Sequence, residues 1–125
     1  MKIASMENLT INTNKKTAGS YDKQVNIAEL VMEDPGAVYA MLVNSNIMSD
    51  AGINKGDQVI VDRNKLPVNG NIIIARIGND LCIRKMLIED GRRTLVSPGV
   101  NLAPLAVDKG FDAWGVVIYV LKKIA

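Results

Sequence analysis

The sequence predicts a mostly-β domain, because strand-like segments and turn signals alternate along it from residue 37 to the C-terminus. About six or seven apolar segments, rich in β-branched residues, are separated by turn residues roughly every 8 to 12 positions. Helical periodicity is confined to one segment near residue 26. An alternating β-α-β fold is therefore excluded.

The first half of the predicted domain opens with its one short helix. Asn26 can cap the segment IAELVMED, and the dipeptide Pro35-Gly36 ends it. The segment AVYAMLV (37–43) then predicts a strand. Gly52 and Gly56-Asp57 mark a loop, after which QVIVD predicts the next strand.

The second half predicts consecutive strands joined by turns. A polar connection ending in Asn69-Gly70 leads into NIIIARI and DLCIRKMLI, and the spacing at Gly78-Asn79-Asp80 between these two segments suits a hairpin. RTLVS follows a second turn signal, Asp90-Gly91. The last segment, WGVVIYVLKK, predicts a strand that is buried on both faces, either inside the sheet or between the core and a partner subunit.

Length and composition predict a single folded domain with an arm. The chain has 125 residues and 13.6 kDa, enough for one core. Residues 1–20 are rich in Asn, Thr, Lys and Ser, which indicates a flexible arm, and residues 21–125 form the predicted domain.

Composition also removes several classes of function. The net charge is +2, too small an excess to indicate nucleic-acid binding, and we expect no sequence-specific contact with DNA. The absence of histidine excludes Ser-His-Asp and Cys-His catalysis, and Cys82 is interpreted as a buried thiol. No metal or other cofactor is expected. No apolar run approaches the roughly 20 residues that span a bilayer, so a cytoplasmic protein is predicted.

A spaced motif in the centre of the chain indicates the family. Met48-x-Asp50-x-Gly52-Ile53-x-x-Gly56-Asp57, followed by VIVD, resembles the self-cleaving domain of the LexA/UmuD family, and the whole is similar to its UmuD branch. Later segments agree in order, namely GNIIIA, IRKM, LVSPGVNLAPLAV and WGVVIYVLKK. We call the loop within residues 42–62, between the two predicted strands, the motif loop. Asp50, Gly52, Gly56 and Asp57 are interpreted as scaffold rather than as catalytic groups.

The resemblance implies a signal-peptidase-like β-fold, a homodimer and a Ser-Lys dyad that cuts the protein's own arm. In such a dyad an uncharged lysine takes the proton from the serine hydroxyl. The two dyad positions correspond here to Ile47 and Arg84. Isoleucine has no nucleophilic atom, and arginine keeps its proton at physiological pH. We therefore expect no catalytic residues and no peptidase activity.

Neighbouring residues offer a weaker alternative dyad. Ser45 and Ser49 flank Ile47, and Lys85 follows Arg84. Because successive side chains of a strand point to opposite faces, Lys85 and Arg84 lie on different sides of the sheet. A working pair of Ser45 or Ser49 with Lys85 would thus need compensating shifts in two segments.

The resemblance also implies a cleavage site and a subunit interface. Family members are cut at a small residue followed by Gly, and Ala18-Gly19 is such a dipeptide, although it is closer to the dyad than is usual in the family. The family pairs its C-terminal strands in the dimer. The corresponding interface residues are Trp114, Val116, Val117, Ile118 and Val120.

The function predicted from the sequence is a catalytically silent, dimeric UmuD-like accessory subunit of a translesion DNA polymerase in the SOS response to DNA damage. Its partners are the polymerase and the recombinase filament on damaged DNA. Two alternatives stay open. One is an active self-cleaving peptidase that uses the shifted pair. The other is a decoy that forms mixed dimers with LexA- or UmuD-type proteins.

Overall fold

The computed structural model describes residues 2–5, 35–108 and 110–125. Its eight strands form one antiparallel sheet in the order β1-β2-β3-β8-β4-β5-β6-β7, which confirms the mostly-β prediction. The predicted helix after Asn26 and the dipeptide Ala18-Gly19 lie outside the described residues. The strands are β1 (Lys2–Ser5), β2 (Val38–Leu42), β3 (Gln58–Asp62), β4 (Ile72–Ile77), β5 (Asp80–Glu89), β6 (Arg92–Val96), β7 (Leu105–Val107) and β8 (Ala113–Leu121).

Six of these strands follow the apolar segments of the sequence, and two were not predicted. β7 is a three-residue edge strand with a weak pattern. β1 lies in the predicted arm and pairs with β2, from Lys2 opposite Leu42 to Ser5 opposite Tyr39. Two short 3-10 helices, Pro35–Ala37 and Ser49–Ala51, were also not predicted.

The predicted hairpin is present, and the second predicted turn also joins two paired strands. β4 and β5 are joined at Gly78-Asn79, with Ile77 opposite Asp80, and Gly78 has φ 63°. β5 and β6 are joined by Asp90-Gly91, whose φ angles are 51° and 76°. Two consecutive positive φ angles give the turn the twist that a two-residue hairpin needs, and Asp and Gly tolerate them.

Strand β8 lies inside the sheet, between β3 and β4. Its register shifts at two places, opposite Ile60/Val61 and opposite Ile74/Ala75. Gly115 pairs with Ile74 at the second shift, and a Cβ on it would lie 2.5 Å from Cγ1 of Val61 on the other neighbouring strand. Glycine is therefore required there for packing.

Apolar side chains cover both faces of the sheet. The first core cluster consists of Met41, Val43, Met48, Ile53, Val59, Val61, Ile74, Ile83 and Trp114. The second contains Ile73, Ala75, Met86, Leu95 and Val116, and the third is Val38 with Ile60. Each fully buried Val, Ile or Met contributes about 1.5–3 kcal/mol, so these clusters fix which face each strand residue occupies. The described part of the chain holds no helix with the length and apolar character needed to cross a bilayer.

Candidate functional site

Two backbone hydrogen bonds join the two ends of the motif loop between β2 and β3. The N–H of Val43 donates to the carbonyl of Asp57 at 2.8 Å, and the N–H of Gly56 donates to the carbonyl of Val43 at 2.9 Å. Within the loop, the N–H of Lys55 donates to Oδ1 of Asn46 at 2.9 Å. The loop therefore has a defined shape that does not depend on a dyad.

Two buried apolar residues anchor the motif loop to the first core cluster. Met48 is fully buried and Ile53 nearly so, and the N–H of Ile53 donates to the carbonyl of Met48 at 3.3 Å. Between them the 3-10 helix Ser49–Ala51 ends at Gly52, which has φ 80°. Gly56 has φ 94°, so both glycines of the motif occupy conformations that other residues rarely adopt. Their interpretation as scaffold is consistent with these angles.

Asp57 holds the end of the motif loop through its carboxylate. Oδ2 accepts a hydrogen bond from the backbone N–H of Asn54 at 2.8 Å and another from the ammonium group of Lys122, with which it also forms an ion pair. The Lys122 hydrogen bond is the main reason that the pKa of Asp57 is lowered, and the Asn54 N–H contributes in the same direction. The carboxylate is thus a structural group that joins the loop to the C-terminal end of β8.

Ile47 occupies the predicted nucleophile position and behaves as a core residue. It is half-buried and packs against the first core cluster. Its neighbour Met48 is fully buried and anchors the loop more deeply in the core. An aliphatic side chain that gains contact area with the core can stabilise the loop but cannot attack a carbonyl.

Arg84 occupies the predicted general-base position, in the middle of β5. It is half-buried, and its Nη1 donates a hydrogen bond to the carbonyl of Ile83 at 2.7 Å. Among the described residues, no carboxylate lies within ion-pair distance of Arg84. The guanidinium is thus held as a hydrogen-bond donor to the backbone.

The sheet register separates Arg84 from Lys85. Arg84 lies opposite Ile73 of the second core cluster, whereas Lys85 lies opposite Ile72, which packs against the first core cluster. Residues directly opposite each other in antiparallel strands share a face. Lys85 therefore lies on the face of the cluster that Ile47 contacts, and Arg84 lies on the other face.

The side chains of the weaker alternative dyad are not joined. In residues 35–108 and 110–125, neither Ser45 nor Ser49 forms a hydrogen bond with Lys85. The segment after β6 covers Ser49, because a Cβ on Gly99 would lie 2.4 Å from Ser49 Oγ. The N–H of Asp50 also donates to the carbonyl of Pro98 at 3.2 Å. The hydroxyl of Ser49 is therefore packed against the chain itself.

The predicted interface residues of β8 differ in accessibility. Trp114 and Val116 are buried within the single chain, so their side chains are already occupied by core contacts. Val117, Ile118 and Val120 are half-buried. Only the last three retain surface that a partner could cover.

Two structural groups near the site escaped sequence reasoning. Arg63 lies over the ring of Trp114, with Cζ 4.2 Å from the ring centroid, and its Nε donates to the carbonyl of Trp114 at 3.0 Å. Tyr39 packs beside the same ring, at 5.4 Å between centroids. The second group is Lys122, which contacts Asp57. No local pattern in the sequence indicates the Arg63–Trp114 contact or the Asp57–Lys122 contact, because the partners are 51 and 65 residues apart.

Comparison with known proteins identifies the family. The family model described as Peptidase S24-like matches residues 5–118. "Protein MucA" of Salmonella typhimurium is 30% identical over 108 residues, covering 83% of this chain and 73% of that protein. The LexA repressor of Bordetella pertussis is 33% identical over 79 residues, covering 59% of this chain and 37% of the repressor. These matches confirm the resemblance noted in the sequence, and the chain belongs to the Peptidase S24-like, or LexA/UmuD, family.

Proposed function

We propose that the chain is a catalytically silent, dimeric accessory subunit of a translesion DNA polymerase, acting in the cytoplasm during the SOS response. Membership of the family and similarity to a MucA protein support a UmuD-like role related to that response. Catalytic silence, the polymerase partner and contact with the recombinase filament go beyond that membership and are parts of the proposal.

The observation that carries the proposal is the combination of an intact motif loop with Ile47 and Arg84. Backbone hydrogen bonds, two buried anchors and the Asp57–Lys122 ion pair all maintain the loop. At the position expected for the nucleophile the loop presents only an aliphatic side chain. A shape that is maintained without its reactive group is typical of a protein that acts by binding.

A self-associating surface is supported by one face of β2, β3 and β8. Ala40, Ile60 and Tyr119 form one cross-strand row, and Leu42, Gln58 and Leu121 form the next. Leu42 and Tyr119 are 40% and 41% exposed. Since Ile118 packs beside Ile60 on this face, a dimer that covers the face would use the C-terminal strand as the resemblance implies.

The test is incubation of the purified chain at alkaline pH and, separately, with activated recombinase filament. Intact mass spectrometry should find the full-length mass in both. Specific cleavage at Ala18-Gly19 would contradict the proposal.

A second candidate function, a self-peptidase, is favoured by the position of Lys85 on the face of the first core cluster. Ser45 is half-buried at the start of the motif loop, whereas the hydroxyl of Ser49 is packed against Gly99. If this pair works, cleavage must disappear in Ser45→Ala and in Lys85→Ala, whereas Ser49→Ala should leave the rate unchanged.

A further inference from the structure

The connection between β3 and β4 displays apolar side chains on a braced loop. Leu66 is 83% exposed and Val68 is 58% exposed, whereas Pro67 between them is half-buried. Lys65 precedes them and is exposed. We call Lys65, Leu66, Pro67 and Val68 the 65–68 tip. Two large aliphatic side chains exposed on one short loop mark a surface that gains free energy when a partner covers it.

The base of this loop is fixed on its β3 side. The backbone N–H of Arg63 donates to the carbonyl of Ala37 at 2.9 Å, and its Nε donates to the carbonyl of Trp114 at 3.0 Å. The N–H of Asn64 donates to Oδ1 of Asp62 at 2.8 Å. These hydrogen bonds fix the direction in which the chain leaves β3.

The side of the loop toward β4 is fixed by two asparagines and a glycine. Oδ1 of Asn71 accepts from the N–H of Val68 at 2.8 Å, and Oδ1 of Asn69 accepts from the N–H of Ile88 at 2.7 Å. The N–H of Gly70 donates to the carbonyl of Met86 at 2.8 Å. With both ends fixed, the 65–68 tip is held in shape before any partner binds, which lowers the entropy cost of docking.

The charge of the loop indicates the chemistry of the partner. Within residues 63–71 the cation available to a partner is Lys65, because Arg63 lies over the ring of Trp114, and none of these residues is acidic. A partner surface that pairs with this loop would carry carboxylates around an apolar pocket, because complementary potentials steer association and fix orientation. A membrane surface is the weaker fit, since two aliphatic side chains and one available cation give little bilayer affinity.

We propose that the 65–68 tip is a docking site for a protein whose surface has an apolar pocket edged by carboxylates, and, resting on the proposed function, that this protein is the translesion polymerase. Leu66 and Val68 enter the pocket, and Lys65 pairs with a carboxylate at its edge. The site is separate from the motif loop and from the face of β8 proposed for the dimer.

The experiment measures the affinity of the purified chain for the purified translesion polymerase of its source organism by isothermal titration calorimetry. Leu66→Asp and Val68→Asp should each weaken binding about tenfold or more, as expected when a central apolar contact of an interface is lost. Lys65→Glu should weaken it as well, with a smaller effect at high salt. Leu102→Asp is the matched control, because Leu102 is 50% exposed elsewhere on the chain, and it should bind within about twofold of the unmodified chain.

Each possible outcome is decisive. If the unmodified chain does not bind the polymerase, the proposed function and this inference both fail. If it binds and the two Asp variants bind equally well, only the inference fails. Two further measurements also overturn it: co-sedimentation of the chain with phosphatidylglycerol vesicles that Leu66→Asp abolishes, or a dimer that Leu66→Asp dissociates. Unchanged thermal unfolding of the variants ensures that lost binding is not lost folding.

Discussion

The ammonium group of Lys122 donates a hydrogen bond to Oδ2 of Asp57 and so joins the C-terminal end of β8 to the loop that carries the family motif. The two residues are 65 positions apart. The side chain of Lys122 is 47% exposed and that of Asp57 only 10%, so the carboxylate is the shielded partner. The shape of the motif loop therefore depends on the end of the chain as well as on its own hydrogen bonds.

Removing the Asp57 carboxylate should change how stability depends on acidity. The folded pKa of Asp57 lies below its ordinary value, so its contribution is complete above the unfolded pKa of about 3.9 and is lost as pH falls through the folded pKa. Asp57→Asn should lower the urea midpoint at pH 7, and the difference from the unmodified chain should shrink below about pH 4. Asp112→Asn is the control, because its ion pair with Arg76 is exposed on both sides. Equal curves for Asp57→Asn and the unmodified chain at all pH values would contradict the assignment.

Gly99 should be intolerant of any side chain. In Gly99→Ala the new Cβ would lie 2.4 Å from Ser49 Oγ and 2.6 Å from the Ser49 nitrogen, and φ is 127°. We expect a loss of roughly 1–3 kcal/mol in the free energy of unfolding. Gly78→Ala provides the comparison, since Gly78 also has positive φ but nothing within 4 Å of the added Cβ. If chemical denaturation shows the same loss for both, contact with Ser49 is not what requires glycine.

Introducing a serine at position 47 and a lysine at position 84 tests which strand position could carry a general base. Ile47→Ser should stay unreactive toward a fluorophosphonate serine probe, as judged by mass spectrometry, both alone and combined with Arg84→Lys, because residue 84 faces away from the core cluster that Ile47 contacts. The sheet register raises a specific competing result, because Lys85 rather than Arg84 shares the face of the first core cluster. Labelling of the single Ile47→Ser variant that Lys85→Ala abolishes would place the base position at residue 85.

The face of β2, β3 and β8 should control self-association. Leu42 and Tyr119 are partly exposed in the single chain and lie on the face proposed for the dimer. Leu42→Asp and Tyr119→Asp therefore place a charge in the proposed interface, and we expect a folded monomer by sedimentation velocity. Ile118→Asp should lower the stability of the chain instead, since Ile118 is half-buried and packs against the third core cluster, where an unpaired charge is unfavourable. Leu102→Asp is the exposed control. If the Leu42→Asp and Tyr119→Asp proteins are fully dimeric, the dimer interface lies elsewhere on the chain.

The local parts of the fold could be predicted from the sequence, and the long-range parts could not. β3 coincides with the segment QVIVD, and both hairpins follow their turn residues, because strand alternation and turn chemistry depend on neighbouring residues. The insertion of β8 between β3 and β4, and the contact of Arg63 with Trp114, depend on pairings between distant segments. No period in the sequence encodes these pairings.

In the candidate site, too, the local features could be predicted from the sequence and the contacts between distant segments could not. The glycine conformations of the motif loop follow from its residues alone, and the structure has both Gly52 and Gly56 at positive φ. The face of the sheet that Arg84 occupies depends on its register with Ile73, and the covering of Ser49 depends on the approach of Gly99. These contacts between segments determine which polar groups are accessible, so they could be found only in the folded chain.

Whether the motif loop is kept without its chemistry is tested most directly by the intact mass of the purified chain after prolonged incubation at alkaline pH, with and without activated recombinase filament. We expect a single species at the full-length mass in both conditions. Two fragments whose masses add to that of the chain plus one water, and whose formation stops in Ser45→Ala or Lys85→Ala, would contradict it and identify an active peptidase.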